Sequence, residues 1–446
     1  MTMILPLTPF EEYLVHEDRP AFPCWNVGKF VLEGRLDPAV LERAWQETAA
    51  QHPLLRAALR RGLLGGLSWR IDEAASVPAI EVVEQLGPHG WPCWLPLDLG
   101  AGRGAYLYLA QSGERAALFA QFHHALVDGL GVVSVIEELL FRYAAALGVA
   151  VKLPTRVPAL LRDRGNLGLG WLERLAGLPM QLVGLAGAAQ LLLFRAAAPL
   201  VPHTPPEAKG SRVENYPAVE SRDLSAEEFR ELREAAKAAK VSVNEMIMRD
   251  LQAAIGAWRR EQVPNAPLDW MRLGVPVLQR ATLDRRMPAC NLVSMVIIDR
   301  TVKSCGKRER LLRRAHEDME LIRRHRLGGV FWRILRLCRW MPGGIRGYTR
   351  REKVRATMVL TNFGRAFHHG PVPEAHRRFA VPGAVLTEVI TAPVMRAGTV
   401  ACLGVGVLAG RLHADLHYDP RVLAKEQAAA LADEFVRQME LSRRGK

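Results

Sequence analysis

His123-His124-Ala125-Leu126-Val127-Asp128-Gly129 sets two histidines, an aspartate and a glycine in the pattern H-H-x-x-x-D-G. Four fixed residues at this spacing arise by chance in roughly one chain in a thousand of this composition, which makes the stretch far more specific than a lone glycine-rich loop. Its flanks give it a setting. Ala105 to Ala110 and Ala116 to Phe122 are short β-prone runs around Ser112-Gly113, and they predict a hairpin whose second strand runs into His123. Gly129 and Gly131 break that pattern, after which Val132, Val135, Ile136, Leu139, Leu140 and Tyr143 recur at helical spacing. The histidines therefore stand where a strand ends and a helix is about to begin.

Three chemistries compete for the stretch. A metal site needs His123, His124 and Asp128 to converge, but adjacent residues leaving a strand point to opposite faces and do not readily serve one ion. No metal is expected. A structural role would satisfy both imidazoles with hydrogen bonds and pair Asp128 with an arginine. A catalytic role would make one histidine a general base, since imidazole titrates near neutrality and accepts a proton from a hydroxyl or amine attacking a carbonyl. Opposite pointing suits that role, with one ring facing a channel and the other packed inside.

Working outward, Asp37 is a good N-cap, Pro38 suits the first helical position, and Leu41, Ala44, Trp45 and Thr48 follow at helical spacing up to Gln51-His52-Pro53. From about 153 to 214 the character changes. Pro154, Pro158, Pro202, Pro205 and Pro206 bracket a Leu-, Gly- and Ala-rich stretch read as a crossover between two halves. Leu175 to Phe194 has no charged residue, so a packed crossover helix, an interfacial helix and a membrane span all fit its length; Pro179, Gln181, Gln190 and three glycines weigh against the span. Beyond it, Ser225-Ala226-Glu227-Glu228 is a capping box, and Val241 to Glu245 opens a second helix. Leu268 to Val275, Ser294 to Asp299 and a long run from Gly404 to Tyr418 read as strands, and an amphipathic helix covers Leu423 to Leu441. The expected organisation is residues 1–152 and 215–446 as two α/β sandwich halves, joined by a crossover at 153–214 that carries an apolar helix.

Composition narrows the class. The 446 residues, 49% hydrophobic and 24% charged, exclude a miniature disulfide scaffold and bulk disorder. Six scattered cysteines without C-x-x-C spacing give no zinc or redox motif, and Met1 to Phe10 has no basic segment leading into an apolar stretch. Cytoplasmic residence with reduced thiols is the expectation. The formal charge is +14, and the segment from Lys303 to Arg355 concentrates it with 17 Lys/Arg against five Asp/Glu. Such a segment suits a phosphorylated cofactor, an acidic carrier protein, an anionic lipid surface or nucleic acid, although no DNA- or RNA-reading module accompanies it. Within it, Arg333, Arg336 and Arg339 alternate with Phe331, Trp332, Leu335, Leu337 and Trp340, a helix suited to a membrane interface or to the core with snorkelling arginines.

With these residues in view, the sequence resembles the chloramphenicol-acetyltransferase-like, thioester-dependent acyltransferases, which include peptide condensation domains, alcohol acyltransferases and wax ester synthase/diacylglycerol acyltransferases. The likeness extends to Leu36-Asp37, His52-Pro53-Leu54-Leu55-Arg56, Pro96-Leu97-Asp98-Leu99, Val241-Ser242-Val243-Asn244, Val275-Pro276-Val277-Leu278-Gln279-Arg280 and Asn291-Leu292-Val293-Ser294, in order. It implies two similar sandwiches forming a pseudo-dimer around a central tunnel. It also implies His124 as the base that activates the acceptor, His123 as its packed neighbour, Asp128 in a structural salt bridge with Arg280, and Gly129 keeping the channel wall open beside the thioester arm. Thr361-Asn362-Phe363-Gly364 resembles the S/T-N-x-G motif of condensation-like and alcohol-acylating members, which would let Asn362 donate to a developing oxyanion. The N-x-P-G-P form of wax ester synthases is absent. Implied substrates are an acyl thioester, acyl-CoA foremost or an acyl carrier protein, and a hydrophobic alcohol or lipid acceptor, with no bound cofactor. Arg333, Arg336 and Arg339 would meet the donor or a membrane at the inner face. The alternatives are a freestanding condensation-type enzyme using a carrier protein or forming an amide, and a non-catalytic binding member.

Overall fold

The computed structural model describes all residues except 1, 64, 88, 167–181, 188–194, 203–215, 267, 279–283, 351–353, 369, 373–377 and 446. In the first part of the chain, β1 (Thr2–Pro6), α1 (Pro9–Glu17), β2 (Trp25–Gly34) and α2 (Pro38–Gln51) precede β3 (Ala58–Arg61), β4 (Leu67–Asp72) and β5 (Glu81–Val82). The predicted hairpin forms as β6 (Ala105–Ser112) and β7 (Arg115–His123), and α3 (Gly129–Ala146) follows. After the crossover come β8 (Ala218–Leu224), β9 (Trp270–Leu278), β10 (Val293–Thr301), β11 (Met358–Arg365), β12 (Ala380–Val381), β13 (Ala384–Ala392), β14 (Ala401–Leu408) and β15 (Arg411–Tyr418). Helices Ala226–Ala238, Val243–Gln262, Arg308–Arg324 and Lys425–Arg443 cover this second part.

Two six-stranded sheets organise the molecule, in the orders β12-β13-β2-β7-β6-β5 and β10-β9-β11-β14-β15-β8. A smaller sheet, β1-β4-β3, stands beside them. The mixed α/β pseudo-dimer expected from the sequence is the observed fold. Two strands do not follow the division of the chain: β12 and β13 lie in the first sheet, where β13 pairs antiparallel with β2, Ala384 opposite Gly34 through Ala392 opposite Val27.

Local rules account for the elements that position the centre. Asp37 caps α2 by accepting from the Ala39 and Val40 amides, and Trp45 on the buried face of α2 stacks on Phe122 of β7 at 5.9 Å. The stretch from Gly404 to Tyr418 is a hairpin rather than one long strand. Ala409 and Gly410 both take positive φ, 48° and 83°, and reverse the chain. An Ala-Gly pair ahead of Arg411 is a weaker turn signal than Asn-Gly or Asp-Gly, and the alternation on either side conceals it. No helix among the described residues is long and apolar enough to cross a membrane; within Leu175 to Phe194 only 182–187 is described, and it is helical.

Candidate active site

Strand β7 delivers the paired histidines to the boundary between the halves. The His123 amide donates to the Gly104 carbonyl and the His124 amide to that of Cys24, both at 2.8 Å, so the backbone is fixed at the point where the ladder ends. His123 is buried. Its Nδ1 accepts from the Ala125 amide at 3.0 Å, which leaves the proton on Nε2, 3.4 Å from Asp18 Oδ2. Asp18 is held in turn by the Cys24 amide at 2.8 Å.

His124 turns the other way and is half-buried. The ring of Phe10 meets it edge-on at 6.4 Å and itself stacks on Trp332 at 6.1 Å. Burial pushes the pKa of His124 below the usual imidazole value; its own carbonyl and Asp128 oppose that shift, neighbouring His123 adds to it, and the Val127 carbonyl opposes it weakly. The result is a neutral imidazole at pH 7, the protonation state a general base requires.

The second half grips this loop from outside. Asp128 caps α3 by accepting from the Gly131 amide at 2.8 Å through Oδ1, while Oδ2 accepts from the Leu292 amide at 2.9 Å. One residue earlier, the Asn291 side chain donates to the His124 carbonyl. Two further bonds pin the same segment: His52 Nδ1 accepts from the Ala289 amide at 2.9 Å, and the Trp332 indole donates to the Val293 carbonyl at 2.9 Å. His52 also meets Glu138 of α3 at 3.2 Å, and Glu138 carries Arg142 and Arg156, each at 3.0 Å. Arg280, expected opposite Asp128, lies outside the described residues.

The other expected residues sit as follows. Gly129 opens α3, and a Cβ on it would lie 2.5 Å from Cε1 of Phe363, so the room on that side is taken by the aromatic ring. Gly404 on β14 flanks the same ring, its own Cβ position 3.2 Å from Cε2. Gly129→Ala is therefore expected to force the ring aside with little space to receive it, destabilising the fold by about 1–3 kcal/mol. Thermal melts check this, and Phe363→Leu in the same chain should recover much of the loss.

Asn362 accepts from the Gly364 amide at 2.7 Å and donates to Asn244 at 3.1 Å, which joins two of the sequence motifs across β11 and the start of helix Val243–Gln262. β11 keeps β14 as its neighbour, but it pairs with β9 only at Met358 and Val359, so the motif lies on a strand whose other side has come away. In helix Val330–Cys338 and the residue after it, Arg336 donates to the Gly165 carbonyl at 3.1 Å, and Arg339 reaches Glu12 at 2.7 Å and the Leu7 carbonyl at 2.9 Å. Arg333 is half-buried in the same helix. No group of three or more His, Cys, Asp or Glu among the described residues is placed to hold a metal ion.

Asn26 and Asp18 join the site without having been singled out in the sequence, and Phe363 and Asn291 were quoted there without a role. Asn26 donates to the Val127 carbonyl at 2.7 Å from strand β2. Nothing local marks these residues, because each acts on a partner about a hundred or more positions away.

The fold that carries this histidine loop, two six-stranded sheets with helix α3 springing from the end of β7, is that of condensation domains. Residues 111–247 match the wax ester synthase/diacylglycerol acyltransferase catalytic domain. The first condensation domain of the CDA synthetase superposes with a TM-score of 0.70 at 15% identity, covering 99% of this chain and 96% of that one. The starter condensation domain of rhizomide synthetase RzmA, an arginine-to-alanine mutant in complex with C8-CoA, gives 0.69 at 17% identity, covering 99% and 95%. In sequence, the AMB antimetabolite synthetase AmbE of Pseudomonas aeruginosa is 30% identical over 186 residues, 34% of this chain but 8% of AmbE. An uncharacterized protein of Mycobacterium tuberculosis is 27% identical over 160 residues, 32% of this chain and 34% of that protein, so the match spans a minor part of each of these relatives. The chain thus shares the condensation-domain fold over nearly its whole length, and its residues 111–247 are similar to the wax ester synthase/diacylglycerol acyltransferase catalytic domain.

Proposed function

We propose that the chain moves an acyl group from a thioester, acyl-CoA foremost, to the hydroxyl of a hydrophobic alcohol or lipid. The observation that carries this is His124, a half-buried imidazole kept neutral at the boundary of the two halves and held by both of them. His124 takes the acceptor's proton as its oxygen attacks the thioester carbonyl. The tetrahedral oxyanion then collapses, the C–S bond breaks, and the departing thiolate receives the proton back. His123 serves as a packed neighbour, Asp128 holds the loop, Asn362 is the candidate oxyanion donor, and Gly129 shapes the wall. In this reading 1–152 and 215–446 are the two working halves.

An acyl-CoA donor is supported by the C8-CoA complex of the RzmA domain. The condensation-domain likenesses favour a second reading, in which a carrier-protein thioester is the donor or an amine the acceptor. A mass-spectrometric screen of acyl-CoA and acyl-carrier donors against alcohols, diacylglycerol and amines separates the two, and free thiol release without an acylated product would mean hydrolysis instead.

The acceptor would be reached from a membrane surface. Leu337, Trp340 and Met341 are exposed, Trp340 by 90%, in the most basic segment of the chain. Attraction of about 1 kcal/mol per basic residue near an anionic surface predicts flotation with anionic liposomes at low salt, release at high salt, and none with neutral liposomes. Absence of flotation under every condition would leave the basic segment to the donor or to a protein.

A further inference from the structure

The two carbonyls beside the His124 ring, its own and that of Val127, are each capped by an asparagine amide, and the two asparagines come from opposite halves of the molecule. Asn26, on β2, donates to the Val127 carbonyl at 2.7 Å. Asn291, in the segment leading into β10, donates to the His124 carbonyl. These carbonyls are what the ring meets on its inner side, since Nδ1 is buried and has no well-formed hydrogen bond among the described residues. Their orientation therefore decides which nitrogen keeps the proton. With the carbonyls turned toward Nδ1, that atom carries it, and Nε2 is left as the acceptor.

Asn291 is a costly residue for its place. It is wholly buried, and its Oδ1 has no partner among the described residues, so the fold accepts an unpaired polar atom to put one amide against the His124 backbone. The segment around it is stiff. The Ala289 amide is bound to His52, the Leu292 amide to Asp128 and the Val293 carbonyl to Trp332, so within five residues the chain makes three bonds besides that of Asn291. A side chain mounted on such a segment transmits the position of the second half directly to the loop.

We propose that Asn291, with Asn26 as its counterpart in the first half, is a positioning residue that fixes the ring and tautomer of His124 through the paired carbonyls. The proposal rests on His124 being the base, but one of its two readouts does not depend on turnover.

Three variants test it: Asn291→Ala, Asn291→Asp and Asn26→Ala. Asn291→Asp keeps the shape and replaces the donor by an acceptor, and Asn291→Ala removes both without introducing charge. In steady-state acyl transfer, kcat should fall about 10- to 100-fold for the Asn291 variants, as expected when a reacting group is misplaced by up to about an ångström, while KM stays within about twofold. Loss through unfolding alone would lower the active fraction without moving any pH midpoint. The second readout is carbethoxylation of His124 by diethyl pyrocarbonate, followed by peptide mass spectrometry against pH. The midpoint and rate of this reaction should change in both Asn291 variants and in Asn26→Ala, with His123 much less affected.

A folded Asn291→Ala protein with wild-type kcat and an unchanged His124 modification profile overturns the inference, and so does failure of both Asn291 variants to fold. Thioester turnover absent from the wild type, with the modification profile still moved by the variants, would instead overturn the acyl-transfer reading and leave the positioning role standing.

Discussion

His124→Ala is expected to slow acyl transfer by about 100-fold or more with the fold intact, since general-base catalysis contributes on that order. The ring is half-buried, with Phe10 on one edge, so its removal disturbs packing little. His123→Ala should behave differently. That imidazole is wholly enclosed between the Ala125 amide and Asp18, and its loss should appear mainly as a lower melting temperature. The pH dependence follows from the environment of the base. Burial holds the pKa of His124 below the usual 6.5, so kcat/KM should be level through neutrality and fall only as acid protonates the ring, with an apparent midpoint below 6.5. An acid limb centred above 6.5, or a folded His124→Ala variant close to the wild-type rate, would remove His124 from the role of base.

Asp128→Asn is expected to cost about 1–3 kcal/mol of stability, with activity lost alongside. Each carboxylate oxygen accepts a backbone amide, one at the start of α3 and one from Leu292 in the other half. An asparagine supplies only one acceptor and turns an N–H toward the remaining amide donor. Asparagine caps a helix about as well as aspartate, so the cost is the one buried amide left without an acceptor, about 1–3 kcal/mol. Chemical denaturation of the variant measures it, and a change under about 0.5 kcal/mol would show that the second bond contributes little. The family resemblance implies Arg280 as a further partner. Arg280→Met, alone and with Asp128→Asn, would test it, because partners give a double variant that is less than additive.

Much of this arrangement was legible in the sequence for reasons of local physics. The β-prone runs that become β6 and β7, the turn at Ser112-Gly113 and the helical spacing after Gly131 are enough to place His123 and His124 at a strand end. The Asp37 cap and the box at Ser225 fall where expected, because a cap is decided within four residues, and the helix expected to open at Val241 to Glu245 starts on a box at Ser242. Contacts made across the fold could not be read in the same way. Phe363 fills the space left by Gly129 from 234 positions away, and the Asn291 amide reaches His124 over 167. A sequence shows that Gly129 lacks a side chain, but not which ring arrives to use the space. The hairpin at Ala409-Gly410 is hard to read for a subtler reason. Apolar residues alternate on both sides of the turn, Gly410 is one of three glycines within seven residues, and Arg411 is the single polar mark at the reversal.

The strand exchange between the halves has a consequence for how the protein is made. β2 and β7 form early in the chain, but the edge of their sheet is closed only by β13, residues 384–392. Until those residues have been synthesised, β2 presents an open row of backbone donors and acceptors, the kind of edge at which chains pair with one another. The first sheet and the second thus reach completion together, late, and through contacts of long sequence separation, which favours slow and concerted folding over the assembly of one finished half followed by the other.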